Sequence, residues 1–203
     1  MMLCGIKIFL AGLAFYLLVN DVPAFAAAPD SATIIAPVAD GNPSTLPEGK
    51  ARIRFFGQNG IDLSFYRNRT CYQDGLFGLK GGESVSGGFG SGLASLLGTV
   101  GSIGIGMPET NSSMHLHDKD LIGSKAFYRE YEFTADEPLT VAARWGGCRT
   151  QALTFKPEAN KDYEFEMTEQ NGLCELIASR LMGTSSPATL QPLRDYTKAS
   201  ECP

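Results

Sequence analysis

Between residues 50 and 181, apolar and polar side chains alternate with a period of two in short runs broken by turn residues. Tyr163, Phe165 and Met167 alternate with Glu164, Glu166 and Thr168, and Val141, Ala143 and Trp145 stand against Thr140 and Arg144. Leu153 and Phe155 lie beside Thr154 and Lys156, and Ile53 and Phe55 alternate with Arg52 and Arg54. Residues two apart on a strand share a face, so each run has one face to bury and one to solvate. Asn59-Gly60 separates ARIRFFGQ from IDLSFYR, and Asn171-Gly172 separates YEFEMTEQ from LCELIASRL. Both read as hairpins, because the central positions of a type I′ turn need positive φ. Asp136-Glu137-Pro138, Gly146-Gly147 and the stretch 158–162 divide the remaining runs at spacings of roughly ten to twelve residues. The pattern predicts an all-β chain, an antiparallel β-sandwich of about seven strands over 50–181. Leu173, Leu176, Ile177 and Leu181 also fit a helical stripe, but the Asn-Gly turn before them favours a strand.

Three segments depart from this pattern. Residues 84–108 form a run of 25 without a charge, eight of them Gly. We read 81–109 as a Gly-rich, mobile insertion with a short helix at Leu93–Leu97 and a strand at Ile103–Met107; membrane contact and an oligomer interface are the alternatives, and this loop or the acidic sheet face would meet a partner. Residues 27–49 carry Pro29, Pro37, Pro43 and Pro47 among small residues, a linker composition. Residues 182–203, with Pro187, Pro192 and Pro203, read as a polar tail.

The N-terminus reads as an address. Lys7 precedes the uncharged stretch Ile8–Val19, and Ala24-Phe25-Ala26 places small residues where a signal peptidase requires them. The expectation is a signal peptide over 1–26, cleaved after Ala26. Cys4 lies ahead of the apolar stretch and is no lipid-attachment cysteine, so membrane contact is not expected after cleavage. Four cysteines follow, Cys71, Cys148, Cys174 and Cys202, and an even count in an exported chain implies two disulfides. Three pairings are open; the one carried forward is Cys71 with Cys148 and Cys174 with Cys202. With 17 Lys and Arg against 22 Asp and Glu, the chain has no basic footprint for nucleic acid.

Little in the chain announces chemistry. No nucleophile elbow, zincin helix, Walker loop or dinucleotide fingerprint occurs, and no cofactor is expected. Both histidines fall in His115-Leu116-His117-Asp118. On an extended strand His115 and His117 share a face and, with Asp118, form a weak candidate site for Zn or Cu; two exposed loop histidines are the plainer reading. Glu130, Glu132, Glu164 and Glu166 occupy the polar positions of two strands. They are a solvated sheet face or, combined, an acidic platform for a basic protein such as a cell-wall hydrolase or lysozyme. Trp145, beside Gly146-Gly147-Cys148, reads as a core residue packed near a disulfide.

The run from Phe155 to Glu164, FKPEANKDYE, resembles the F-x-P-x-x-G-K-x-Y hairpin of short bacterial exported proteins and lipoproteins with transthyretin-like or carboxypeptidase-regulatory-like β-sandwiches. Ile105-Gly106-Met107-Pro108 is similar to a second feature of those envelope proteins. Asn160 stands where they carry Gly, a substitution that a left-handed turn position tolerates. The resemblance implies a fold and a compartment, periplasmic or secreted, but no activity. The chain is therefore expected to be an exported, non-enzymatic binding or structural module with a protein partner in the cell envelope. An inhibitor or immunity-type role against a basic hydrolase and a Zn/Cu-binding role are the alternatives.

Overall fold

The computed structural model describes residues 46–58, 60–76, 78–86, 101–119, 125–170 and 172–203. The expected leader, most of the linker and the short helix at 93–97 lie outside the described residues. Two five-stranded sheets face each other. The first orders β10 (Thr189–Pro192), β9 (Leu173–Met182), β8 (Asp162–Gln170), β1 (Lys50–Gly57) and β5 (Phe127–Thr134). The second orders β11 (Thr197–Lys198), β7 (Gln151–Phe155), β6 (Leu139–Trp145), β2 (Ile61–Arg67) and β4 (Glu83–Ser86). A small third sheet pairs β3 (Cys71–Tyr72) with β12 (Ser200–Glu201). The all-β sandwich is as the alternation predicts, with more strands than seven. In the two large sheets every pairing is antiparallel except that of β1 with β8.

The inward rows are the apolar rows of the sequence. Ile53, Phe55, Leu63, Phe65, Val141, Ala143, Leu153, Phe155, Tyr163, Phe165 and Met167 share one interior. Phe55 stacks on Phe65 across the two sheets, ring centroids 5.2 Å apart, and meets Phe165 at 5.5 Å. Each such side chain contributes about 1.5–3 kcal/mol by leaving water, so the aromatic centre fixes how the sheets face each other.

The turns divide into two kinds. The second expected hairpin is present, with Gln170 opposite Leu173, and Gly172 has φ +79°. Its second strand is β9, which replaces the helical alternative for 173–181. The expectation of a hairpin at Asn59-Gly60 is corrected: β1 and β2 belong to different sheets, and the turn carries the chain from one to the other. Gly60 still has φ +89°; the positive φ specifies a sharp reversal, not that the flanking strands pair. Asp136 at φ 62° and Asn160 at φ 59° make the same kind of crossing between sheets. Asn160 thus adopts the left-handed conformation that Asn tolerates at a turn position.

Residues 182–203 are not a tail. β10 pairs with β9, β11 with β7 and β12 with β3. This last pairing corrects the disulfides as well. Parallel alignment of β12 with β3 puts Ser200 opposite Cys71 and brings Cys202 to it, giving Cys71–Cys202 with a Cα–Cα distance of 5.1 Å. Cys148, in the turn after β6, meets Cys174 on β9, with a Cα–Cα distance of 6.1 Å. That second bridge ties one sheet to the other.

Candidate functional site

The polar row of β1 lies between two acidic strands. Register places Arg54 between Glu130 on β5 and Glu164 on β8, and Arg52 between Glu132 and Asp162. Arg54 donates to Glu130 Oε1 from Nε at 2.9 Å and from Nη2 at 2.6 Å, and from Nη1 to Glu164 Oε2 at 3.4 Å. Arg52 donates to both carboxylate oxygens of Asp162 at 2.8 Å. The expected acidic platform is therefore corrected. Glu130 and Glu164 are buried, Glu166 is half-buried, and Glu132 alone of the four is exposed. Burial pushes the Glu164 carboxyl above the ordinary carboxylate range, against the Thr110 hydroxyl and the Arg54 guanidinium, which hold it down.

What covers these charges is the described end of the Gly-rich stretch. Residues 103–112 form a strap that runs from β5 over β1 to β8. Ile103 bridges to Arg129, the remnant of the strand expected at Ile103–Met107. Glu130 Oε2 accepts the Ile105 N–H at 2.6 Å and the Met107 N–H at 3.3 Å. Arg52 donates to the Gly106 carbonyl at 2.9 Å and Arg54 to the Pro108 carbonyl at 3.0 Å. Thr110 Oγ1 donates to Glu164 Oε2 at 2.8 Å, and Ser112 Oγ to Glu166 Oε2 at 3.3 Å. A strand face with this much buried charge is stable only because the charges are paired and their remaining lone pairs and protons meet strap backbone. The reading of 81–109 as a mobile insertion is thus corrected for its described parts: 83–86 is β4, and 103–109 is bonded to the first sheet.

The strap leads into the short helix α1 (Asn111–Met114) and a 3-10 turn (Leu116–Lys119). Thr110 caps α1 by accepting the Ser113 N–H. Leu116 then packs against Phe56 and Ala126, with Tyr128 at the margin. This placement completes a cleft of about 310 Å³ at one end of the sandwich. It lies where β1 and β8 leave their shared pairing, which runs from Arg52–Asp162 to Phe55–Phe165 among the described residues. It is lined by Phe56 and Gly57 of β1, by Glu166, Met167, Thr168 and Glu169 of β8, by Ile61 and Trp145 of the second sheet, and by Ser112 and Leu116 of the segment that the strap leads into. Gly57 is needed there, because a Cβ would sit 2.6 Å from Phe127 Cζ. Trp145 is half-buried against the core and is held by its neighbours: Cys148 N–H donates to its carbonyl at 2.9 Å, and Cys148 is bridged to β9. It is a core-edge residue near a disulfide, as the sequence suggests, and it is also a wall of the cleft.

The histidines are placed otherwise than a strand would place them. His115 caps the end of α1 and His117 belongs to the 3-10 turn, so two residues apart no longer means one face. His115, His117 and Asp118 are exposed, and among the described residues no group of three His, Cys, Asp or Glu is arranged to hold a metal. Chemically, the cleft offers apolar walls, two carboxylates and a hydroxyl–carboxylate contact, Ser112 Oγ on Glu166 Oε2. Sequence reasoning missed it because its residues come from five separate stretches. The available signal was Trp145, the chain's single tryptophan, followed at once by a glycine pair and a cysteine. Comparison with protein-family models, with curated proteins and with solved structures finds no match to the chain.

Proposed function

We propose that the protein is an exported, disulfide-stapled module that works by binding rather than by catalysis, and that it receives its ligand in the cleft at the end of the sandwich. The cleft itself carries this reading: an apolar recess of about 310 Å³, walled by Phe56, Ile61, Leu116, Trp145 and Met167. Apolar recesses with a few polar groups are where small ligands bind. Export is supported by the two disulfides, which persist in oxidising compartments. The role of the four glutamates as a platform for a basic hydrolase loses support, since Glu130 and Glu164 face Arg54 and not solvent.

A ligand-observed magnetic resonance screen of apolar and amphiphilic fragments against the full chain tests the reading. Hits are expected to lose binding to Trp145→Ala and to Met167→Ala while both variants still melt cooperatively, and to keep it with Glu132→Gln. Hits that bind Trp145→Ala and Met167→Ala unchanged, or a screen with no saturable hit, contradict it.

A further inference from the structure

We propose that the protein carries a ligand site apart from the cleft, at the start of β8, and that this site takes the carboxylate of a small organic acid. None of its residues lines the cleft, so it does not depend on the reading above.

Strand register builds the site. The inward row of β9 runs through Cys174, Leu176 and Ala178 against the core and then ends on a charge, Arg180. Pairing sets Arg180 opposite Tyr163 of β8 on one side and Gln191 of β10 on the other, so three polar side chains from adjacent strands share one face. Leu193 packs on the core and donates its N–H to the Ala178 carbonyl at 2.9 Å, which fixes the start of the segment after β10. Together with Lys156, at the exit from β7, these elements line a cavity of about 190 Å³.

Its buried donors are not spent. Arg180 gives Nη1 to Glu158 Oε1 at 3.0 Å, while its Nε is buried and bonds to nothing among the described residues. The Nε–Nη2 edge of a guanidinium is the fork that matches the two oxygens of a carboxylate. Tyr163 is 1% exposed, and its hydroxyl accepts the Glu158 N–H at 3.0 Å. The hydroxyl's own proton has no acceptor among the described residues. Burial holds that phenol above its ordinary range, so it is a donor at neutral pH. Buried donors without acceptors are costly, and one oxyanion answers both.

Charge and size narrow the ligand. Lys156, Arg180 and Arg194 line the cavity against Glu158 and Asp195, three cations to two carboxylates. Lys156 and Arg194 are exposed and form no ion pair among the described residues. A surplus of one positive charge suits a monoanion, a carboxylate and not a doubly charged phosphate. Pro192 and Leu193 add apolar surface for the body of the acid. The volume falls below the roughly 300–1,000 Å³ typical of drug-sized ligands, so the acid is small.

Nitrogen–proton spectra of the arginine Nε–H groups in the full chain read the site directly. Titration with benzoate, benzamide and inorganic phosphate compares one shape with and without charge, and a carboxylate with a phosphate. Benzoate is expected to shift the Arg180 Nε–H saturably, with benzamide and phosphate each weaker by about tenfold or more. Arg180→Lys keeps the charge and removes the fork, and Tyr163→Phe removes one hydroxyl. Each is expected to weaken benzoate binding by about tenfold in ligand-observed saturation transfer while thermal unfolding stays cooperative. The comparison of probes on the wild type decides the matter whatever either variant does to stability. Equal affinity for benzoate and benzamide, or an Arg180 Nε–H that benzoate leaves unmoved, overturns the proposal. Phosphate binding tighter than benzoate overturns the carboxylate assignment. Benzoate that shifts the Trp145 indole in place of Arg180 has entered the cleft, and that result also overturns it.

Discussion

Arg54 and Glu130 form the most deeply buried ion pair described, with guanidinium Nε and Nη2 both on Oε1, at 2.9 and 2.6 Å, and side chains 0% and 1% exposed. The other carboxylate oxygen holds the strap, through the N–H groups of Ile105 and Met107. One pair thus joins β1, β5 and the strap that leads to the cleft.

Breaking that pair from one side is expected to be severe. Arg54→Met leaves two buried carboxylates without their cation, and Glu130→Gln leaves Arg54 with its weaker partner and two strap N–H groups with a poorer acceptor. Each is expected to lower stability by about 3–5 kcal/mol, the cost of an uncompensated buried charge. Urea denaturation followed by far-ultraviolet dichroism checks this, and a loss below about 1 kcal/mol for Arg54→Met would show that the network does not hold the strap.

Glu164 gives a pH dependence of definite sign. Burial raises its folded pKa above the ordinary value of 4.5, so between the two values the folded chain binds more protons than the unfolded one. Stability contributed by this group is therefore present below the unfolded pKa and lost as pH climbs through the folded one. Glu164→Gln keeps an acceptor for Thr110 and Arg54 and carries no proton to lose. Its stability relative to the wild type is expected to rise with pH above about 4.5 and then level off, as read by thermal unfolding at a series of pH values. A constant difference across the series contradicts the assignment.

The two disulfides should differ in weight. Nonreducing proteolysis with mass spectrometry is expected to return Cys71 joined to Cys202 and Cys148 joined to Cys174. Their sequence separations of 131 and 26 residues correspond, by loop closure in the unfolded chain, to ~5 and ~3.5 kcal/mol. Replacing both cysteines of a pair by Ala should therefore cost more for Cys71 and Cys202 than for Cys148 and Cys174. The reverse order in denaturant melts would place the constraint elsewhere.

The inward half of this fold was written plainly in the chain. Ile53 with Phe55, Tyr163 with Phe165 and Met167, and Leu153 with Phe155 alternate as buried rows must, and Asn171-Gly172 marks its hairpin. The outward half was not, because period-two alternation says that a face is polar and not whether it is wet. Arg52 and Arg54 look the same whether they meet water or two acidic strands, and only the register of β1 with β5 and β8 puts Glu130 and Glu164 beside Arg54. The strap was concealed by its own composition: Ile105, Gly106, Met107 and Pro108 bind the network through backbone N–H and C=O groups, which no side-chain pattern records. Asn59-Gly60 misled for a related reason, since it encodes a reversal and leaves open which sheet the chain enters. The disulfides depended on β12 finding β3, a contact across most of the described chain.

Recognition at the end of the sandwich, and not on its sheet faces, is tested most directly by the footprint of the bound apolar fragments in two-dimensional amide and methyl spectra of the full chain. The account predicts saturable shifts at the Trp145 indole N–H, the Gly57 and Thr168 amides and the Met167 methyl, with Glu132 unmoved. Shifts centred on Glu132 or on His115 and His117, with the Trp145 indole unmoved, would contradict it.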